Sequence, residues 1–504
     1  MTVNKESLTA HYRPVIPSAS TSAMLHVTDV RPMPSVSCGR EPVSDALYEG
    51  FRNIDAVDPA LYEHYGVKRG LRNPDGSGVV AGLTTVCDVH GYRKGPDGVE
   101  PDEGDLLLRG YSIGDLVGAA ASEGRFGYEE LAFLLISGQL PTYAQLADFN
   151  DRIDSRRALP VGYLSLFPRT TASTSIMNVL QRATLLLYAF DDDPDATDPQ
   201  HEVDVAVSLL ARLPRIAAIA SAAYSAEANQ SELSIPPIEP GLSMAETILR
   251  VLRGPEGYTR EEARVLDTML MLHAEHGGGN NSTFTCRVLS SSGTDPYSAY
   301  AAAMGSLKGP KHGGANFKVG QMIDDVCDHV ADPSDTEAME AYIAKIAAGE
   351  AFDGTGLLYG IGHAVYTLSD PRAAIIRRYA GALAEHKGLS RRFHTIEAIE
   401  DLAPAVVSRV RGTSKPLCAN VDLYAGFVYD MLGIPAEMHT PIFAIARLSG
   451  WVAHRMEELY GAGRIIRPAY VVPWASTCPV YVPIADRAGD EPPLPAPLAQ
   501  SSPH

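Results

Sequence analysis

The sequence predicts a mainly α-helical protein with a small β element near its N-terminus, and three observations carry that reading. From residue 113 onward nearly every segment places apolar residues at helical period. The loops between these segments are short and often closed by Gly or Pro. Short β-like runs are confined to residues 78–110. A chain of 504 residues is long enough for a large core and more than one lobe.

Composition narrows the class. With 45% hydrophobic and 20% charged residues the chain has the make-up of a soluble globular protein. Its net charge of −19 argues against nucleic acid or an anionic membrane as partner, since both favour basic surfaces. An anionic small molecule would need locally placed arginines. The six cysteines (Cys38, Cys87, Cys286, Cys327, Cys418 and Cys478) are scattered without a C-x-x-C pair, as expected in a reducing cytoplasm. No uncharged apolar run reaches about 18 residues, so no membrane span is expected. The N-terminus lacks the basic-then-apolar layout of a secretory signal, and Glu6 counts against a transit peptide.

Taken in order, residues 1–45 are rich in Ser, Pro, Thr and Val without helical period and read as a loose arm. Gly78–Cys87 and Asp105–Arg109 read as β pieces. Helices are expected over 128–138, 143–155, 173–190, 201–226, 243–253, 260–275, 296–308, 317–332, 334–349, 371–386, 392–411, 422–432 and 441–460. Asp295-Pro296 opens one of them, Asp being a good N-cap and Pro tolerated at the first helical position. In the last, Thr440 is the expected cap, Pro441 the first residue, and Phe443, Ile445, Val452, Met456 and Leu459 the buried side. Residues 486–504 form a Pro-rich tail that reads as disordered.

The most informative stretch is Leu307-Lys308-Gly309-Pro310-Lys311-His312-Gly313-Gly314-Ala315-Asn316, a histidine in a glycine-lined corner between two helices. Free N–H groups at the following helix start disfavour an imidazolium, so a neutral His312 is expected. Gly360-Ile361-Gly362-His363, followed by Asp370-Pro371-Arg372, repeats the design. Arg372 falls in a helix's first turn, where the macrodipole disfavours a cation and a bound anion would explain it. His273-Ala-Glu-His276-Gly-Gly-Gly-Asn280 suggests backbone exposed to a ligand, with His276 and Asn280 as hydrogen-bonding groups. Zinc is the alternative there, but H-E-x-x-H is absent and no third ligand is suitably spaced, so no metal is expected. Asp422 begins a helix in an apolar setting: either an ordinary N-terminal acid or a general base raised by partial burial.

Two other motifs carry less. Gly110-Tyr111-Ser112-Ile113-Gly114 matches the nucleophile elbow G-x-S-x-G, without the strand–helix alternation of a hydrolase sheet. Gly354 to Gly360 misses the dinucleotide spacing by one residue and reads as a flexible loop. Three histidines, one acid and several arginines at glycine turns and helix starts suit enolisation and carbon–carbon bond formation on carboxylates better than hydrolysis.

Lys308 to Asn316, Gly362 to Arg372, Asn420-Val-Asp422-Leu-Tyr-Ala-Gly, Thr440 to Arg447, His276 to Thr283 and Arg109 to Leu116 resemble, in order, the citrate synthase family over roughly residues 65–475. The resemblance implies a two-domain helical fold and a homodimer. A large domain would comprise 46–313 with 431–485, and a small mobile domain 314–430. It implies condensation of oxaloacetate with acetyl-CoA or a longer acyl-CoA, the thioester being co-substrate, with no tightly bound cofactor and no metal. Asp422 would be the base, His312 would stabilise the enol or enolate, and His363 would polarise the ketone. His276, Asn280, Arg372 and Arg447 would hold substrate, and Arg467 would reach in from the other subunit. Thr367 stands where the family often carries a basic residue near CoA, so Gly360, Gly362 and Lys415 are left as CoA contacts.

Overall fold

The computed structural model describes residues 57–73, 77–95, 98–167, 175–229, 237, 239–412, 416–461, 463–473, 480–483 and 486. The arm expected over 1–45, the tail beyond residue 486 and Lys415 lie outside the described residues. The chain divides into two compact units, Met1–Val67 and Lys68–His504. In the first, helix Pro59–His64 is capped by Asp58, whose carboxylate accepts from the Ala60 N–H at 2.9 Å.

The second unit opens with three antiparallel strands in the order β1 (Cys87–Gly95), β2 (Gly98–Leu108) and β3 (Tyr111–Ser112). Cys87 pairs with Leu108, and the register shifts between His90 and Tyr92, around Gly91. The expected strand over Gly78–Val86 does not form. Val80 and Leu83 there are 87% and 90% exposed, and the run has a lone bridge at Gly78 and isolated backbone bonds at Val79 and Val86 in place of a ladder. The real hairpin is longer because charged residues at 100–105 masked its β character.

From Ile113 to Tyr460 the unit is helical. The expected helices form with ends shifted by no more than three residues, Ile176–Leu186 continuing as a 3-10 turn to Phe190. Asp295 and Asp370 cap their helices as read, accepting from the Ser298 and Arg372 N–H groups. Three further α-helices are described, Ile113–Ser122, the short Tyr163–Leu166 and Asn281–Ser290. Pro199–Ala226 is the one described helix long and apolar enough to cross a membrane, and 78% of its apolar window is buried inside the protein.

The architectural centre is helix His439–Tyr460. It touches helices Tyr128–Ser137, Pro199–Asn229, Arg260–His273, Asn281–Ser290 and Pro296–Leu307. Every residue from Ala444 to Arg455 is buried, so the helix has no single buried side. It also starts two residues earlier than expected, with Met438 as an N-cap that makes no side-chain bond. Thr440 is therefore not the cap. Its hydroxyl donates instead to the Gly313 carbonyl at 3.1 Å, tying this helix to the His312 corner. Pro441 remains in the first turn, where an N–H would lack an intrahelical acceptor.

Candidate active site

The His312 corner is built by backbone folding on itself. Its N–H donates to the Gly309 carbonyl at 2.9 Å, and the Gly313 N–H to the Leu307 carbonyl at 3.0 Å. A Cβ at Gly313 would lie 2.7 Å from that carbonyl, so only glycine fits. The imidazole Nε2 sits 3.1 Å from Ser282 Oγ, which also bonds Asn280 Oδ1 at 2.9 Å and receives Trp451 Nε1–H at 3.3 Å. Burial, with the Arg447 charge second, pulls the imidazole down to about 4. The ring is neutral as expected, though burial and Arg447 rather than a helix start are the causes.

The second corner is zipped to the chain before Asp422. Gly360 and Gly362 take φ of +82° and +95°. The Gly362 N–H donates to the Cys418 carbonyl at 2.7 Å, and the Asn420 N–H to the Gly360 carbonyl at 2.9 Å. Asn420 Nδ2 closes the loop on the Gly362 carbonyl at 2.8 Å. His363 Nδ1 then accepts two backbone N–H groups, from Val365 and Tyr366, each at 3.0 Å. An atom accepting two donors carries no proton, so the ring proton resides on Nε2. Burial first, then Arg372, lowers this imidazole to about 4. His276 stands edge-on to it, centroids 5.0 Å apart, with Nε2 3.2 Å from the Tyr366 hydroxyl. Burial and Arg372 hold His276 well below its ordinary value.

The two buried arginines differ. Arg372 is bound by its own N-cap: Nε to Asp370 Oδ1 at 3.0 Å and Nη2 to Oδ2 at 2.8 Å. An internal carboxylate thus accounts for the cation in this helix's first turn. Arg447, 0% exposed, gives Nε to the His273 carbonyl at 2.7 Å, while neither Nη1 nor Nη2 has a hydrogen-bond partner among the described residues. Burial lowers its guanidinium to about 10, opposed chiefly by Glu275.

Asp422 opens helix Asp422–Met431, its N–H donating to Asn420 Oδ1 at 3.0 Å. Burial raises its carboxyl to about 6, with Arg372 and Arg447 pulling down and Asp370 pushing up. The same two guanidinium charges act on His276, and Arg447 on His312. One electrostatic neighbourhood therefore joins His276, His312, His363, Arg372, Asp422 and Arg447. Arg467 stands apart, exposed in the segment after the central helix.

Sequence reading missed Tyr366, Ser282 and Glu275, and took Asp370 as a helix opener without its pairing to Arg372. Tyr366, immediately after Gly-His-Ala-Val, had the best signal, an aromatic beside two histidine motifs. Thr367 is engaged by the sheet, donating to the Gly91 carbonyl and bonding that of Asp102. Ser112 of the apparent elbow is a helix cap, accepting from the Gly114 N–H at 3.2 Å. Among the described residues no group of three or more His, Cys, Asp and Glu is arranged to hold a metal ion.

Such a set can hold a carboxylate on Arg447, donate to a carbonyl from neutral imidazoles, and take a carbon-bound proton on a carboxylate poised near neutrality. Comparison with known proteins agrees. A family model for the citrate synthase C-terminal domain matches residues 75–469. The citrate synthase of Haloferax volcanii is 35% identical over 374 residues, 73% of this chain and 90% of that one. 2-Methylcitrate synthase 1 of Corynebacterium glutamicum is 33% identical over 408 residues, 80% of this chain and 94% of that one. Of solved structures, citrate synthase from Thermotoga maritima aligns with a TM-score of 0.62 at 27% identity, covering 82% of this chain and 98% of that one. The citrate synthase of the archaeon Thermoplasma acidophilum, in ternary complex with carboxymethyl coenzyme A and oxaloacetate, aligns with a TM-score of 0.66 at 26% identity, with the same coverage. The chain belongs to the citrate synthase family.

Proposed function

We propose that the protein condenses acetyl-CoA with oxaloacetate to give citrate and free CoA. The observation that carries this reading is the buried Arg447 guanidinium, whose two Nη groups have no hydrogen-bond partner among the described residues. It is a donor fork suited to one substrate carboxylate, with Arg372, His276 and Asn280 around the same substrate. Asp422 removes a proton from the carbon beside the thioester carbonyl. His312 hydrogen-bonds to that carbonyl oxygen as negative charge develops. The new carbon nucleophile attacks the ketone of oxaloacetate, polarised by the His363 Nε2–H, and the ketone oxygen becomes the hydroxyl by taking up one proton, which balances the one Asp422 removed. Water then cleaves the thioester, releasing CoA. Closure of a small domain, residues 314–430, over a large domain, 46–313 with 431–485, would exclude water until both substrates are in place.

The enzyme acts as a homodimer in the cytoplasm, with Arg467 serving the neighbouring subunit's site. The segment carrying Arg467 supports this, since Ile465 is 63% and Tyr470 89% exposed, an apolar strip suited to a subunit interface. The four described cysteines are free, in keeping with a reducing compartment. CoA rests on Gly360, Gly362 and Lys415.

A second reading is 2-methylcitrate synthesis from propionyl-CoA, favoured by the likeness to the C. glutamicum protein. One methylene is worth only about 1–3 kcal/mol of discrimination. Following thiol release with each acyl-CoA, with and without oxaloacetate, separates the cases. Oxaloacetate-dependent release, faster with acetyl-CoA, is expected. Preference for propionyl-CoA would favour the second reading, and no release with either would leave a non-catalytic dicarboxylate or CoA binder.

A further inference from the structure

Resting on the proposed reaction, we infer that Tyr366 is a positioning residue whose hydroxyl sets the tautomer of His276, so that the loop 363–366 assigns opposite ring protons to two touching histidines. Tyr366 is 2% exposed and lies between them. Its ring stacks on His363 with centroids 4.6 Å apart and planes 29° off parallel, and meets His276 at 5.4 Å and 69°. The hydroxyl is 3.2 Å from His276 Nε2 and 3.5 Å from the Asp105 carbonyl. A phenol O–H has one proton to give; the Asp105 carbonyl, which can only accept, lies at the 3.5 Å limit of a hydrogen bond, so the proton is assigned to the 3.2 Å contact with His276. His276 Nε2 therefore accepts, and the ring proton lies on Nδ1. His363 is the reverse: its Nδ1 is filled by backbone N–H groups, one of them that of Tyr366 itself. Each histidine then presents one N–H, from the opposite ring position.

The hairpin holds Tyr366 in register. A Cβ on Gly91 would come within 2.7 Å of the Tyr366 Cα, and one on Gly104 within 2.8 Å of its ring. Thr367 is anchored to the carbonyls of Gly91 and Asp102. Thr367 thus serves as a clasp for this loop.

Two-bond 1H–15N spectra of histidine-labelled, substrate-free protein read the tautomers directly, with the His276 signals identified by their loss in His276→Asn. The expected result is Nδ1–H for His276 and Nε2–H for His363. In Tyr366→Phe, which keeps the ring, His276 shifts toward Nε2–H or a mixture and His363 does not change. The KM for oxaloacetate rises about three- to tenfold with kcat within about twofold, the scale of one net hydrogen bond. An Nε2–H His276 in the wild type, or a Tyr366→Phe spectrum identical to wild type, overturns the inference. So does a raised KM without a tautomer change, which leaves Tyr366 a packing role. Because the spectra need no turnover, wild-type protein that releases no CoA refutes the proposed reaction and leaves this result to be decided on its own.

Discussion

Arg447 and Arg455 lie about two turns apart on the central helix, both 0% exposed, and they end differently. Arg455 is closed off: Nε and Nη2 clamp Glu202 at 2.8 and 2.6 Å, Nη1 reaches Ser290 Oγ at 3.3 Å, and Nη2 also meets the Thr294 carbonyl at 2.8 Å. Among the described residues Arg447 makes a hydrogen bond through Nε alone, with its guanidinium 4.8 Å from the Phe443 ring centroid. A buried charge is tolerated when paired, and costs free energy when it is not. One end of the helix therefore uses its arginine to hold the bundle together. The other leaves Nη1 and Nη2 without a hydrogen-bond partner among the described residues, the donor pair proposed above for a substrate carboxylate.

The largest effect is expected from disabling the proposed base, Asp422. Asp422→Asn should cut kcat by a factor on the order of 10²–10⁴, the usual reach of general-base catalysis, while oxaloacetate still binds. Steady-state CoA release alongside calorimetry checks both halves, and near-normal turnover would remove Asp422 from the mechanism. At the other end, Arg455→Met strands Glu202 and should lower unfolding stability by about 3–5 kcal/mol in denaturant titration. A variant as stable as wild type would show that the Arg455 end is not structural.

Acid tests the same contrast. Turnover should decline as pH falls through about 6, where Asp422 takes up its proton, while His312 and His363, at about 4, stay neutral. For stability the signs oppose. The folded imidazoles of His312, His363 and His439 sit at about 4 against an ordinary 6.5, so the unfolded chain binds more protons between those values and stability is lost as pH falls through them. Asp422, raised from 3.8 to about 6, works the other way, its contribution being lost as pH rises across that window. The imidazole contribution is readable as a smaller drop in melting temperature between about pH 7 and about pH 4.5 in His439→Gln than in wild type, and an equal drop would contradict it. The smallest effect is on Arg447 itself. Arg447→Met should leave the unliganded protein within about 1 kcal/mol of wild type, or slightly more stable, because it removes an incompletely paired buried charge. A loss as large as that of Arg455→Met would erase the distinction between the two ends.

Much of the helical frame was legible because Asp-Pro pairs and glycine stops mark helix ends chemically, as at Asp295-Pro296 and Asp370-Pro371. Helix Asn281–Ser290 was hidden behind the triple glycine, and the hairpin behind its charged residues, since neither shows a clean apolar period. Helix His439–Tyr460 was read as amphipathic because periodicity records which residues are apolar. Burying Arg447, His454 and Arg455 depends on partners far away in the chain. In the site, each histidine could be named from its glycine corner. Which ring nitrogen holds the proton, and which arginine is already occupied, depend on Val365, Tyr366, Asp370 and Glu202 being brought within hydrogen-bond reach.

The most direct measurement is calorimetric titration of oxaloacetate into wild-type, Arg447→Met and Arg455→Lys protein. A carboxylate held by the open fork predicts binding to wild type, an affinity lower by a factor on the order of 10² or more in Arg447→Met, and little change in Arg455→Lys. Equal affinity in wild type and Arg447→Met would contradict the assignment of that guanidinium to the substrate.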